Sequence, residues 1–318
     1  MTSNKLPPLD FELPLSNLNS QIEALERQLP NNPQLEQEIS ELYKQYESLK
    51  KTIYGNLRAI DRLAIARHPN RPYTRDYLER FDPNWLELHG DRHGVDDMAM
   101  VCGLVKLDNY KVVVVGTQKG RNIREKQLCN FGMPQPEGYR KALRCFKHAQ
   151  KFNLPIITLI DTPGAYPGMA AEEHNQAQAI AFNLFELADL TVPVISVILG
   201  EGGSGGALAI GFTNTILMLE NSVYSVISPE GCASILWRSA DKVQDACEAM
   251  KITALENKEL GIVDEIIPEP LGGAQSGWDE AAANTKKCII KHLELLSKET
   301  DLVKHRINKY RKIGFYKD

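Results

Sequence analysis

Hydrophobic residues recur at helical spacing close to the start of the chain. Leu18, Ile22, Leu25 and Leu29 follow Ser16, a residue type suited to capping a helix N-terminus, and the spacing predicts a helix that ends at the Pro30-Asn-Asn-Pro33 break. A second run (Leu35, Ile39, Leu42, Tyr46, Leu49, Ile53, Leu57) keeps the three–four spacing with Glu and Lys between. Together they predict an amphipathic helical hairpin. The pattern fits a hairpin packed on its own domain and also one docked on a partner subunit.

Beyond residue 95 the pattern changes to short β-branched runs alternating with helical stretches. Residues 98–107 and 111–117 read as strands joined by the turn-like Asp108-Asn109-Tyr110. A helix is predicted over 137–152. Residues 155–160 and 192–199 are continuous apolar runs of the kind buried on both faces of a sheet. A loop at 161–168 leads into an Ala-rich helix near 170–189, and a Gly-rich turn leads into a helix from about Gly205. Residues 216–219 and 222–227 read as further strands, and a helix starts within 229–238. Strand, crossover helix and parallel strand in series predict an α/β core. Residues 276–318 read as helical, growing basic through Lys304, Arg306, Lys309, Arg311 and Lys312. The expected organisation is a helical extension over 1–70, a core over 71–275 and a C-terminal helical segment over 276–318.

Composition narrows the function classes. The 318 residues are 43% hydrophobic and 25% charged, ordinary for a globular protein. A net charge of −4 supplies no basic field for nucleic acid. Cys102, Cys129, Cys145, Cys232, Cys247 and Cys288 are scattered without zinc-ligand spacing, so no metal site is expected within the chain, and free thiols suit a reducing compartment. No apolar run follows a basic stretch at the N-terminus, and the longest apolar stretches are too short to span a bilayer. The expectation is a cytoplasmic protein with no membrane association.

Two segments concentrate the candidate chemistry: Asp161-Thr-Pro-Gly-Ala-Tyr-Pro-Gly168 and Gly200-Glu-Gly-Gly-Ser-Gly-Gly-Ala-Leu-Ala-Ile-Gly211. Each follows a predicted buried strand and precedes a helix, which leaves backbone N–H groups at a helix N-terminus facing outward. Such groups bind a phosphate or a developing oxyanion. Asp161-Thr162-Pro163-Gly164 also fits the Asp-x-x-Gly of GTPases, but no Gly-Lys-Ser/Thr exists upstream. A dinucleotide site would place its glycines after a first strand, not late in the chain. Gly202-Gly-Ser-Gly-Gly206 formally fits G-x-S-x-G, with Ser204 as nucleophile and Asp264 with His292 or His305 as partners, yet both histidines sit in a polar terminal segment. Tight turns without chemistry explain either loop alone better than they explain two such loops in one domain. Lys119, Arg121 and Arg124 read either as a grip on an anionic group or as a solvated basic loop. Ser228-Pro229 reads as a helix cap with proline in the first turn. His89, Asp91 and His93 read as a structural loop.

Longer motifs are more specific. Asn130-Phe-Gly-Met-Pro-Gln-Pro-Glu-Gly-Tyr-Arg-Lys-Ala-Leu-Arg144, the two glycine segments, Tyr224-Ser-Val-Ile-Ser-Pro-Glu-Gly-Cys-Ala-Ser-Ile-Leu-Trp237, and the flanking Ala66-Arg-His-Pro-Asn-Arg-Pro-Tyr73, Gly116-Thr-Gln-Lys-Gly-Arg121 and Ile267-Pro-Glu-Pro-Leu-Gly-Gly273 together resemble the acetyl-CoA carboxylase carboxyltransferase alpha family. The resemblance runs from about residue 10 to 315. It implies a crotonase-like α/β fold, a spiral of β-β-α units, and transfer of a carboxyl group from carboxybiotin to acetyl-CoA, giving malonyl-CoA for fatty acid synthesis. It implies a beta subunit carrying zinc, an alpha2-beta2 assembly, a biotin carboxyl carrier protein and a biotin carboxylase that uses ATP, with no covalently bound cofactor on this chain. The resemblance further implies that N–H groups of Gly206 and Ala207, shaped by Gly205, face the biotin oxygen. Gly164, Ala165 and Tyr166, with Gly202 and Gly203, then line the substrate, and Lys119 and Arg121 contact its anionic part. The competing classes are a non-catalytic scaffold, a decarboxylase or another acyl-CoA carboxyltransferase of the same fold, and a serine hydrolase using Ser204.

Overall fold

A computed structural model describes residues 7–314, so the outermost parts of the expected terminal segments, 1–6 and 315–318, lie outside the described residues. The chain opens with α1 (Leu13–Glu26) and α2 (Glu36–Gly55), the expected hairpin. Helix α1 starts ahead of Ser16, which is therefore not its cap. Pro14 occupies the first turn, where a missing N–H costs nothing, and the Ser16 carbonyl lies inside the helix, accepting from Ser20 Oγ at 2.9 Å. Leu15 and Tyr54 bury against Ile65 of α3 (Ala59–Ala66), flanked by Phe11, Tyr46, Leu49 and Ile53, so the hairpin closes on its own chain. Helix α4 (Thr74–Phe81) follows.

The sheet begins with β1 (Leu86–Glu87), β2 (Met100–Leu107) and β3 (Tyr110–Thr117), paired antiparallel. After α5 (Ile123–Leu128) and α6 (Pro136–Lys151), β4 (Ile156–Thr162) joins β3 in parallel. The Ala-rich stretch is two helices, α7 (Met169–Glu173) and α8 (Gln176–Asp189), where a single helix was expected. They break at Asn175, whose φ of 64° is left-handed, a conformation Asn tolerates better than most residues. Strand β5 (Val194–Gly203) runs past its expected end because Glu201–Gly203 pair with β7 (Val223–Ser225) beyond the reach of β6 (Thr215–Leu219). Helix α9 (Ser204–Gly211) therefore starts directly on the strand. Then come α10 (Pro229–Leu236), α11 (Val243–Ala249), α12 (Ala254–Glu259), β8 (Glu265–Ile267), α13 (Trp278–Leu296) and α14 (Leu302–Arg311). Ser228 caps α10 as expected, its Oγ accepting from Gly231 N at 3.1 Å.

The strand order is β1-β2-β3-β4-β5-β6-β8, with β7 beside β5, and both faces are covered. Alternation along the strands sorts the side chains. Val113, Val115, Ile156 and Ile160 face a layer that includes Tyr139, Phe146, Leu187 and Ile210 from α6, α8 and α9. Val112, Val114, Ile157 and Leu159 face Tyr77 and Leu78 of α4 and Ile289, Leu293 and Leu296 of α13. Burial on both sides explains the unbroken apolar runs in the sequence.

Candidate active site

Strands β3, β4 and β5 are parallel, so their C-terminal ends lie along one edge of the sheet, where open α/β sheets bind ligands. That edge brings together Lys119, the Asp161 loop and the Gly200 loop. The two loops touch backbone to backbone. A Cβ on Gly203 would meet the Pro163 carbonyl oxygen at 2.2 Å, and one on Gly206 would meet Gly164 C at 2.4 Å and Ala165 N at 2.5 Å. Only glycine permits this approach.

Helix α9 has no side-chain cap, and its first turn includes Gly205 and Gly206, whose N–H groups have no carbonyl within the helix to reach. Ala207 is one residue deeper, where the helix geometry directs its N–H to the Gly203 carbonyl. The buried Tyr139 donates its hydroxyl to the Gly206 carbonyl at 3.4 Å. In the other loop the Gly164 N–H is held by Thr162 Oγ1 at 3.1 Å, and that hydroxyl donates to the Gly164 carbonyl at 2.8 Å. Tyr166 N donates to Pro134 O at 3.0 Å, and Gln176 Nε2 bridges Pro134 O and Tyr166 O, both at 3.0 Å. The 130–135 motif is thus tied to the glycine loop.

Of the three basic residues only Lys119 is largely withdrawn from solvent, while Arg121 and Arg124 are exposed. Lys119 Nζ lies 2.8 Å from Asp161 Oδ1 and 3.0 Å from Glu201 Oε1. Burial lowers its pKa, but the two carboxylates outweigh it and raise the pKa above the usual lysine range. Burial raises the Glu201 pKa, and Lys119 with Arg67 overrides it to hold Glu201 below the usual carboxylate range. Arg67 continues the chain of charges, with Nε 2.7 Å from Glu201 and NH1 2.5 Å from Glu230 on α10. Arg121 is sandwiched between Tyr73 and Trp278, 4.5 Å from each ring centroid, and pairs with Asp76. Lys119 and Arg121 each pair with carboxylates of the chain itself.

Ser204 stands at the strand–helix junction with φ 52°, as a nucleophile elbow would. The partners proposed for it are not there. His292 Nε2 is 2.8 Å from Glu265, and His305 Nδ1 is 3.3 Å from the Asn214 amide. Asp264 accepts from Ile216 N at 2.6 Å and pairs with Lys309. Asp264 and His305 share a cavity of about 400 Å³ that Ser204 does not line. The structure does not assemble the hydrolase constellation. His89, Asp91 and His93 fold into a loop, with Asp91 Oδ1 accepting from His93 N at 2.7 Å and Val95 N at 3.2 Å. Among the described residues no group of three or more His, Cys, Asp or Glu side chains could hold a metal ion, and no helix is long and apolar enough to cross a membrane.

A model of the family described as acetyl co-enzyme A carboxylase carboxyltransferase-like matches residues 8–314. The chain belongs to this family. The carboxyl transferase subunit alpha of Glaesserella parasuis acetyl-CoA carboxylase is 54% identical over 287 residues, 90% of each chain. That of a Marinomonas species is 51% identical over 310 residues, 96% of this chain and 98% of the relative. Among solved structures, transcarboxylase 12S with methylmalonyl-coenzyme A and methylmalonic acid bound aligns with a TM-score of 0.60 at 21% identity, over 73% of this chain and 43% of that one. This last likeness concerns fold, and it bears out the crotonase-like architecture expected from the sequence. Membership makes the chain a carboxyltransferase subunit, the alpha half of an enzyme with a beta-subunit partner.

Sequence reasoning missed Asp161, Glu201, Arg67 and Tyr139 as parts of the site. One signal was available: Glu201 is a charged residue inside an otherwise apolar strand, which demands a buried partner.

Proposed function

We propose that the chain holds carboxybiotin and, with the beta subunit holding the CoA thioester, catalyses carboxyl transfer to acetyl-CoA through backbone amides. Carboxybiotin loses CO2, and the electron pair of the broken N–C bond stays on the ureido group as an oxyanion. That anion takes a proton from the acetyl methyl group, and the resulting enolate attacks CO2 to give malonyl-CoA. The chain's own task is to hold the reactants and stabilise charge on oxygen. The N–H groups of Gly205 and Gly206 are the donors to the ureido oxygen. Ala165 and Tyr166 form the facing wall, with Gly202 and Gly203 beneath. The observation that supports the reading is the direct backbone contact of the two glycine loops, with Gly206 packed on the Gly164–Ala165 peptide.

The finer assignments rest on the family resemblance: the alpha2-beta2 assembly, zinc on the beta subunit, biotin carried on a carrier protein and carboxylated by a separate carboxylase, and hairpin α1–α2 as a subunit contact.

The test is malonyl-CoA consumption with free biotin, the reverse transfer, by this chain alone, by the alpha–beta pair, and by the pair carrying Ser204→Ala. Activity confined to the pair and unchanged by Ser204→Ala supports the reading. Activity of the chain alone, or loss with the hydroxyl, restores the nucleophile mechanism. Gly206→Val forces a side chain into the Gly164–Ala165 backbone, and turnover is expected to fall by about 10²–10³, roughly 3–4 kcal/mol, while the pair still assembles. Near-normal turnover would remove Gly206 from the mechanism.

A further inference from the structure

We infer that Lys119 is a positioning residue for the transfer site, a tie whose ammonium fixes the spacing between the two glycine loops. The inference rests on the reading of those loops as the oxyanion pocket. Asp161 opens one loop, and Glu201 lies at the strand end that leads into the other. A single ammonium, on a side chain 15% exposed, contacts both carboxylates, at 2.8 and 3.0 Å. The same Asp161 Oδ1 accepts the backbone N–H of Glu201 at 2.9 Å, so one carboxylate oxygen holds both the tie and the opposite main chain. Gly200 fits only because it lacks a side chain, since a Cβ there would meet Asp161 Oδ1 at 2.4 Å.

The lysine stem is clamped as well. A Cβ on Gly132 would meet Lys119 Cγ at 2.6 Å. This contact ends a turn in which Asn130, Phe131 and Gly132 all have left-handed φ, at 45°, 56° and 83°. Two consecutive non-glycine residues in that region are costly, and such strain persists where the surroundings demand it. Here it brings a peptide down onto the lysine methylenes.

Lys119 and Arg67 balance Asp161 and Glu201, so these four inner groups are neutral together, and Glu230 at the start of α10 adds one negative charge on the outer side of Arg67. An ammonium already engaged by two carboxylates has little attraction left for an anionic substrate. It does hold the two loops at the separation at which Gly206 meets Gly164. A small displacement at such a site costs far more in rate than in binding.

The experiment separates positioning from plain stability. Lys119→Met alone leaves the buried Asp161 without a cation, while Glu201 keeps Arg67, so both melting temperature and turnover should fall. Lys119→Met with Asp161→Asn removes the surplus charge, leaves the Arg67–Glu201 pair in place and keeps an Oδ1 acceptor for the Glu201 N–H, and stability should largely return. In the reconstituted alpha–beta pair, positioning requires kcat of the double variant to stay about 10²-fold down while KM for malonyl-CoA changes less than about twofold. A kcat that recovers with the melting temperature overturns the inference. Lys119→Arg keeps the charge but relocates it; expected is a native melting temperature with reduced kcat, and wild-type kcat counts against the tie. Hydrogen exchange over residues 160–168 and 199–208 reads the tie without activity. Faster exchange in both segments of the double variant is expected, and unchanged exchange overturns the inference. A wild-type pair without transfer activity would sink the functional reading, and the exchange result would still decide the tie.

Discussion

Asp96 and Asp97 are adjacent in sequence and titrate in opposite directions. Burial pushes the Asp96 pKa up, but Lys141 Nζ at 2.5 Å, His89 Nδ1 at 3.0 Å and Gly90 N at 3.1 Å outweigh it and bring it to about 2. Asp97 is buried, and desolvation pushes its carboxyl up to about 6 against the pull of Ala99 N at 2.9 Å and Gln135 N at 2.8 Å. For Asp96 the folded pKa lies below the unfolded one, so its contribution is present above the ordinary value of 3.8 and lost as pH falls through 2. For Asp97 the folded pKa is raised, so its contribution is present below 3.8 and lost as pH rises through 6. Between pH 5 and 7 only Asp97 of the pair changes charge. Asp97→Asn should therefore shrink the drop in unfolding free energy from pH 5 to 7, by about 1 kcal/mol. Denaturant titrations at the two pH values measure it, and an unchanged drop in the variant would show that Asp97 does not hold its proton. The absolute stability of the variant is a separate matter, because an Asn amide cannot accept both backbone N–H bonds.

At the scale of elements, helix α8 ends on a cation supplied from far along the chain. Arg306 of α14 donates to Leu187 O at 2.7 Å, Leu190 O at 2.9 Å, Val192 O at 3.3 Å and Asn214 Oδ1 at 2.7 Å. It is fully buried, and burial lowers its pKa to about 10, which still leaves it charged at neutral pH. Its partners are the free carbonyls and partial negative charge of a helix C-terminus. Arg306→Met keeps most of the volume and strands those carbonyls, so a loss of about 3 kcal/mol in unfolding free energy is expected. A change below about 0.5 kcal/mol would mean that water replaces the guanidinium. In the sequence Arg306 is one of several basic residues in a terminal helix, and nothing local marks it as buried, because its partners lie 92 to 119 positions away. Separation in sequence also hid the Lys119–Asp161–Glu201 tie, in which Glu201 lies 82 positions from Lys119 and 40 from Asp161. Periodicity recovered the hairpin, α6 and the buried strands, since both faces of the sheet are covered and the apolar runs are unbroken. It failed at the glycines, which carry no side-chain signal: pairing with β7 extends β5 to Gly203, and only the packing of Gly206 on Gly164 joins the two loops.

The whole molecule is a sheet closed on two sides, and the terminal segments contribute unequally to that closure. Helix α13 buries Ile289, Leu293 and Leu296 on the face that also holds Val112, Val114, Ile157 and Leu159. Burying three such side chains is worth roughly 5–8 kcal/mol, comparable with the whole stability of an ordinary domain. The hairpin α1–α2 buries apolar residues against one another and its flanking Leu9, Phe11 and Leu57, and among the described residues only Ile65 of that cluster lies beyond Arg58. Two truncations should therefore behave in opposite ways. A chain ending before Trp278 loses one layer of the sheet and should aggregate or show no cooperative melting. A chain beginning at Arg58 keeps both layers and should remain soluble, with a single melting transition and a circular dichroism spectrum reduced only by the helical signal of α1 and α2. Thermal melts and gel filtration of the two chains decide the matter. Cooperative melting of the C-terminal truncation would mean that α13 is an appendage, and collapse of the N-terminal one would mean that the hairpin completes the core.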